Sequence, residues 1–392
     1  GYTIDRNTKE TLATIEKKEI ESKGEKKIDY YKELRTDPIE VELGLNLVPL
    51  VDANYGGVLL DRIQNVRRKF AIDIGLVIPP VRIMDNMELD HDFYAIKIHG
   101  VIVGESKVRS DKLMALDNAK KVQDPIAGEE FIEPTYGFKA LWIDPSDKLD
   151  AESRGYSVVD PATVIVTHLT ELIRNHAASI LGREEVKKLL DHQKETHPTL
   201  VSELEDKKIS LGIIQQVLQN FLKEGLGIRN LTPILESIAN NTTGRNDPNF
   251  LSENARQAIS NQIVKEYLSS DGKLHVIALD AKITDRLTKS LVSDPIEGVL
   301  ISLPPDYHFK LINAITDRYH LSQKEGRFPI IVVSRDLRLP FSYMLAKEFP
   351  PRNFAVLAAE EIHTITKSVI DAVITLTTEP AKQVAVPVEE LM

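Results

Sequence analysis

Residues 155–191, GYSVVDPATVIVTHLTELIRNHAASILGREEVKKLLD, hold the transition on which the fold turns. Tyr156–Asp160 reads as a short extended segment. Asp160-Pro161 then opens a long helix, with Asp as N-cap and Pro in the first turn, where its missing N–H costs nothing. On that helix Ile165, Leu169, Leu172, His176 and Ile180 form an apolar stripe, and Thr163, Thr167, Thr170 and Arg174 a polar one. Gly182 is the expected C-cap. Upstream of this stretch, strand and helix patterns mix. Downstream of it, as far as about Ser270, the signal is helical.

Working upstream, IEVELGLNLVPLV (39–51) reads as a strand. Leu59, Ile63, Val66 and Phe70 recur at helical spacing, with Arg62, Arg67 and Lys69 on the opposite face. Pro79-Pro80 makes the next segment extended. DFYAIKIHGVIVGESKV (92–108) has period two, and Gly100 and Gly104 suggest a bend or bulge within it. Between 112 and 160 lie the short strands KLMALD, FKALWI and YSVVD.

Downstream, Val186/Leu189/Leu190, Ile213/Val217/Phe221 and Ile234/Leu235/Ile238 mark four or five amphipathic helices, with Thr232-Pro233 read as a second cap-plus-Pro start. From Lys273 apolar strands (LHVIALD, GVLISL, PIIVVS, FAVLAA) alternate with helices at 281–291, 308–321 and 336–348. That pattern implies crossover units and a mostly parallel sheet. The fold class is therefore α/β with several subdomains, one of them helical and one small and β-rich.

Both ends are polar. Residues 1–38 are Lys- and Glu-rich and read as a linker that ends at Asp37-Pro38. Residues 377–392 read as a flexible, Pro-interrupted acidic tail. The first 34 residues contain no signal peptide, and no apolar run approaches the roughly 18–20 residues that span a bilayer. The first residue is Gly, so the sequence is expected to be a piece of a longer protein.

Across 392 residues the formal net charge is −10 and there is no cysteine. The acidic balance argues against broad nucleic-acid binding. The missing thiols remove disulfides, thiolate metal sites and Cys nucleophiles. There is no Walker A loop, G-x-G-x-x-G, G-x-S-x-G or H-E-x-x-H. His192 and His197, five apart, fall on different helix faces, and His168 and His176 are too far apart to share one ion. His176, on the apolar stripe, reads as a hydrogen-bonded core residue. Asp85, Glu88, Asp90 and Asp92 lack EF-hand spacing and read as an acidic loop. Nothing nominates an enzyme, a catalytic residue, a metal or a cofactor.

Four ordered blocks carry a resemblance: LGLNLVPLVD (43–52), GGVLLDRIQNVRRKFAIDIGLVIPPVRIMDN (56–86), the 155–191 stretch above, and LGIIQQVLQNFLKEGLGIRNLTPILESIA (211–239). Together they closely resemble the cytoplasmic domain of the FlhA-type (FHIPEP) export-gate proteins of flagellar and type III secretion systems, and the flagellar branch more than the virulence branch. The likeness implies a missing N-terminal transmembrane bundle and a location on the cytoplasmic face of the bacterial inner membrane. It also implies assembly into a nonameric ring. The partners it implies are flagellar export chaperones carrying substrates, the export ATPase complex and soluble export components. The role would be that of a docking platform, not a catalyst.

The implied plan is a linker (1–38), a first α/β subdomain (39–111 and 161–181) with an inserted β-rich subdomain (112–160), a helical subdomain (182–268), a C-terminal α/β subdomain (269–376) and the tail. The family's chaperone-binding dimple is built on an Asp-Pro-x-Phe-Gly segment and a Thr of the following long helix. Here these positions are Glu133, Tyr136 (in Glu133-Pro134-Thr135-Tyr136-Gly137) and Thr167, with Glu replacing Asp and Tyr replacing Phe. Tyr136 lies in a Pro/Gly loop, where an aromatic suits an interface better than a core. The family's linker aromatic, which docks on the neighbouring ring subunit, falls on Tyr30, with Tyr31 beside it. The family's hinge glycine is Gly44. The competing expectation is a small-molecule or nucleotide-binding enzyme at the strand ends of 273–376, but neither AKITD nor RDLRLP, which follow its strands, is a Gly-rich phosphate loop.

Overall fold

Ile39, Val41 and Leu43 point into the core from β1 (Ile39–Leu43), and a four-stranded sheet of order β2-β1-β3-β4 forms around it. In the computed structural model of the chain, the described residues are 36–376, apart from 53, 55, 118–121, 123, 243–245, 295–297, 350–351 and 363–367. β2 (Val81–Asp85) runs parallel to β1, whereas β3 (Phe93–Ile98) and β4 (Val101–Lys107) are antiparallel. The two-residue turn between β3 and β4, His99-Gly100, has positive φ at both positions, as the twist of a tight hairpin requires. The pairing slips opposite Ile96/Lys97 next to Gly104, where a bulge was expected.

Helix Leu59–Asp73 buries Leu59, Ile63 and Phe70 as its spacing predicts. It packs against helix Pro161–Asn175, which also lies on β4. The strand expected over 39–51 stops at Leu43, and a 3-10 helix, Leu45–Leu50, follows. Pro49 cannot donate to a ladder, and an apolar run alone does not distinguish a strand from a buried turn.

Between β4 and helix Pro161–Asn175 the chain inserts an antiparallel sheet of order β6-β7-β5-β8. Its strands are β5 (Leu113–Leu116), β6 (Glu129–Ile132), β7 (Lys139–Ile143) and β8 (Ser157–Val159). Both faces of this sheet are covered. Met114 and Trp142 join the main core, and Ala115, Ile143 and Tyr156 form a small core of their own. β6 escaped the sequence reading because it opens on two exposed glutamates.

Among the described residues the helical part has six helices, from Arg183–Thr196 to Ser260–Glu266, where four or five were expected. Gly182 precedes the first of them as its N-cap instead of closing the helix before it, which gives way at His176 to the short Ala177–Ile180 helix. Thr232 is not a cap either. Helix Leu231–Asn241 has already started there, and the Thr232 hydroxyl accepts a 2.6 Å hydrogen bond from Gln193.

The last sheet is wholly parallel, of order β13-β12-β9-β14, with β9 (Leu274–Leu279), β12 (Ile330–Val333), β13 (Ala355–Ala358) and β14 (Ser368–Ile374). Alternate residues serve two cores. Leu274, Val276, Ile330 and Leu357 face the main core, while Ile277, Ile331, Val333 and Val356 face a second one lined by the flanking helices. A parallel sheet needs both faces covered in this way. The GVLISL segment expected in this sheet is not part of it. β11 (Gly298–Ile301) pairs antiparallel with β10 (Leu291–Asp294) as a separate hairpin, and helix Ala281–Lys289 ends before β10 begins. Only a few residues connect the two segments, too few for the crossover that parallel neighbours require.

A buried ion cluster ties the helical part to the C-terminal one. Arg338, with no exposed surface, reaches Glu224 at 2.7 Å and also pairs with Glu253. Arg256 bridges Glu224 at 2.6 Å and Glu361 at 2.9 Å.

Candidate docking site

β6 and β7 pair up to Ile132 and Lys139, which leaves residues 133–138 as the connecting loop. Its backbone is closed by Glu133 N–H donating to the Phe138 carbonyl at 2.8 Å and Gly137 N–H to the Glu133 carbonyl at 3.0 Å. Gly137 takes φ 72°, a conformation that glycine adopts without strain. The Glu133 side chain, 4% exposed, accepts from Thr135 N–H at 2.8 Å and Tyr136 N–H at 2.7 Å. Its oxygens are thus engaged inside the loop. It positions Tyr136 and does not itself present a carboxylate to the outside.

Tyr136 is 59% exposed and Phe138 40%, with ring centroids 5.9 Å apart and Ile132 exposed beside them at the strand end. Phe138 and Ile132 were not picked out in the sequence, because Phe138 reads as the first residue of a strand. The signal that could have found them is the density of large apolar residues around a Pro/Gly turn.

The loop is within electrostatic reach of helix Pro161–Asn175. Partial burial raises the phenol pKa of Tyr136, the charges of Glu171 and Glu133 add to the rise, and Arg174 opposes it. Thr167, Glu171 and Arg174 follow one another at i, i+4 and i+7 and so share a face of that helix. Thr167 is half-buried, and its hydroxyl makes no hydrogen bond to another described residue. Thr170 and Arg174, on the helix's polar stripe, line a depression of about 160 Å³ with Val66, Lys69 and Phe70.

Beneath the loop is a buried polar pair. The Tyr94 hydroxyl and His168 Nδ1 are 2.8 Å apart, with the rings edge-on. Burial pushes the His168 imidazole pKa down, against the pull of the Glu133 charge, and raises the Tyr94 phenol, to which Glu133 adds. His168, not His176, is the histidine in the core. His176 is only half-buried and bonds the Leu172 carbonyl at 2.8 Å.

The helix itself is fixed at its start. Asp160 accepts from Thr163 N–H at 2.9 Å and from Arg62 at 2.7 and 3.0 Å. Burial would raise the Asp160 carboxyl, but the Arg62 and Thr163 hydrogen bonds outweigh it and hold the pKa low.

Gly44 sits where β1 passes into the 3-10 helix. A Cβ there would fall 2.2 Å from the Asp90 carbonyl oxygen and 2.6 Å from that of His91, so close backbone approach demands glycine. Tyr30 and Tyr31 lie outside the described residues. Among the described residues no group of His, Asp and Glu is arranged to hold a metal ion, and no helix is long and apolar enough to cross a membrane.

Comparison with known proteins gives a consistent result. The sequence model of the FHIPEP family matches residues 1–367. The flagellar biosynthesis protein FlhA of Bacillus subtilis (strain 168) is 35% identical over 371 residues, covering 92% of this chain and 53% of that protein. FlhA of Borreliella burgdorferi is 36% identical over 314 residues, covering 80% of this chain and 44% of that protein. The chain thus spans about half the length of the curated relatives it matches. Among solved structures, the Chlamydia pneumoniae CdsV protein superposes with a TM-score of 0.74 at 20% identity, covering 87% of this chain and 98% of that one. The nonameric EPEC SctV-C, solved by cryo-EM, superposes with a TM-score of 0.68 at 18% identity, covering 86% and 98%. At these identities the superpositions establish the fold.

Proposed function

This chain belongs to the FHIPEP family, and from that premise we propose that it is the docking platform of a flagellar export gate. It receives export chaperones with their bound substrates on the cytoplasmic face of the inner membrane. The observation that carries this reading is the Tyr136/Phe138 pair, exposed on a loop whose shape is fixed by the buried Glu133 carboxylate. Two adjacent exposed aromatics on a rigid turn are a suitable anchor for a partner, because they bury large area with little loss of side-chain freedom. Thr167 and Glu171 supply a polar rim on the adjoining helix.

The reading extends to Glu133 as the positioning residue and to Tyr30 and Tyr31 as the linker's contact with a neighbouring subunit of a nonameric ring. Gly44 serves as the hinge. The subdomain limits are those given by the sequence, with the membrane part lying upstream. The export ATPase complex and soluble export components are further partners.

Calorimetry of this chain with a flagellar export chaperone, loaded and empty, tests the proposal. Binding of the loaded chaperone that is weakened at least about tenfold by Tyr136→Asp, with the melting temperature unchanged, supports it. Equal binding by wild type and variant removes the assignment of the site.

A further inference from the structure

Another concavity has none of the Tyr136 loop residues in its lining. It is a cleft of about 310 Å³ where the edge strand β13 and helix Arg335–Glu348 meet the ends of helices Leu211–Lys223 and Pro161–Asn175. That volume is at the lower end of the range of small-molecule sites. Tyr343, Phe349 and Phe354 line its apolar side, the last two with ring centroids 4.8 Å apart.

Its charges are unbalanced. Lys223, Arg256 and Arg352 line it with a single carboxylate, Glu224, and that carboxylate is held by Arg256 at 2.6 Å and Arg338 at 2.7 Å. Lys223 and Arg352 have no ion-pair partner within 4.0 Å among the described residues. In a chain of net charge −10 this is a local excess of positive charge.

Arg352 is also held with some effort. Its backbone φ is 68°, in the left-handed region that non-glycine residues rarely adopt. Gly225 makes room for its side chain: a Cβ there would lie 3.0 Å from Arg352 Nε and 3.2 Å from Cγ. Burial, and after it the Arg174 charge, pull the guanidinium pKa down, with Glu171 and Tyr267 opposing. An arginine stays protonated all the same, so the charge stands partly desolvated and without an ion pair among the described residues, the Glu171 charge reaching it only from longer range.

We infer that this cleft binds a small organic oxyanion, a carboxylate or phosphate on an aromatic or aliphatic body. Arg352 and Lys223 hold the head group, and the Tyr343/Phe349/Phe354 wall holds the body. A forked guanidinium suits either head group. Because three parts of the fold contribute walls, the bound anion also clamps them together, and melting temperature rises with ligand concentration.

The probes are phenyl phosphate and benzoate, titrated into the chain at constant ionic strength and followed by calorimetry and thermal melting. Benzyl alcohol and sodium chloride serve as controls. The expected result is saturable binding of at least one anion, weakened at least about tenfold by Arg352→Gln and less by Lys223→Gln. The stronger of the two anions identifies the head group. Arg352→Lys, which keeps the charge and loses the fork, falls between wild type and Arg352→Gln. The inference is overturned if neither anion binds saturably, if benzyl alcohol binds as well as benzoate, or if both Arg352 variants bind like wild type.

Discussion

Glu133 and Tyr136 are three residues apart and have separable roles, which single substitutions can tell apart. Glu133→Gln keeps one acceptor oxygen but cannot accept from both loop amides, so stability is expected to drop by about 1–2 kcal/mol, read by urea denaturation. Chaperone affinity would fall with it as Tyr136 loses its fixed position. Tyr136→Asp, on an exposed ring, should leave the urea midpoint alone and act on binding only. Asp160 offers a third test at this scale. Asp160→Ala removes the cap of helix Pro161–Asn175 and the Arg62 bridge, at a cost of about 1–2 kcal/mol near neutral pH. The folded-state pKa of Asp160 is depressed, so its contribution is present above the ordinary carboxylate range and lost as pH falls through the folded value. The stability gap between wild type and variant should therefore close in acid.

At the scale of elements, two junctions decide how neighbouring pieces fit. Gly75 follows helix Leu59–Asp73 at φ 77°, and a Cβ there would fall 2.4 Å from the Arg229 backbone, just after Ile228 N–H donates to the Ile74 carbonyl at 2.7 Å. Neither the conformation nor the space admits a side chain. Gly75→Ala is expected to cost about 2–3 kcal/mol or more by chemical denaturation. In the last sheet, His275 on β9 meets Asp371 of β14 at 2.8 Å and Asp271 at 3.2 Å, and Arg327 reaches the other Asp371 oxygen at 2.8 Å. The hydrogen bond to Asp371 raises the His275 pKa, burial opposes it, Asp271 adds to the rise and Arg327 works against it. A raised histidine stabilises the fold fully below its unfolded value, near pH 6.5, and loses that effect as pH rises through the folded value. Thermal melting of His275→Gln against wild type should show the largest deficit below about pH 6 and little by pH 9.

Across the whole molecule, one hydrophobic core runs from the first sheet through the inserted sheet and the helices to one face of the last sheet, whose other face has a core of its own. Cooperativity between the helical and C-terminal parts therefore depends on their interface, where Arg338 sits fully buried between Glu224 and Glu253. Burial pushes Glu224 up, but Arg338 and Arg256 prevail and hold it low. In Glu253 burial wins, and the pKa is raised. Arg338→Met would leave both carboxylates without their shared partner, with an expected loss of about 3–5 kcal/mol. Scanning calorimetry should then show the C-terminal part melting ahead of the rest. A single transition at the wild-type temperature would mean that the ion cluster does not couple the two parts.

The sequence alone determined the local features. The Asp160-Pro161 helix start, the period-two strands, the helical stripe of Leu59, Ile63 and Phe70, and an aromatic in a Pro/Gly loop all depend on residues within a few positions of one another. Short-range backbone preference and hydrophobic period are enough to specify such features. Tertiary structure decided what depends on distant partners. It drew His168 into the core onto Tyr94, took β11 out of the parallel sheet, turned Glu133 inward, and placed Phe138 beside Tyr136. It also buried Arg338 against carboxylates 85 and 114 positions away. An arginine in a sequence reads as surface, because it is buried only where its charge is matched, and the matching residues are brought together only by the fold.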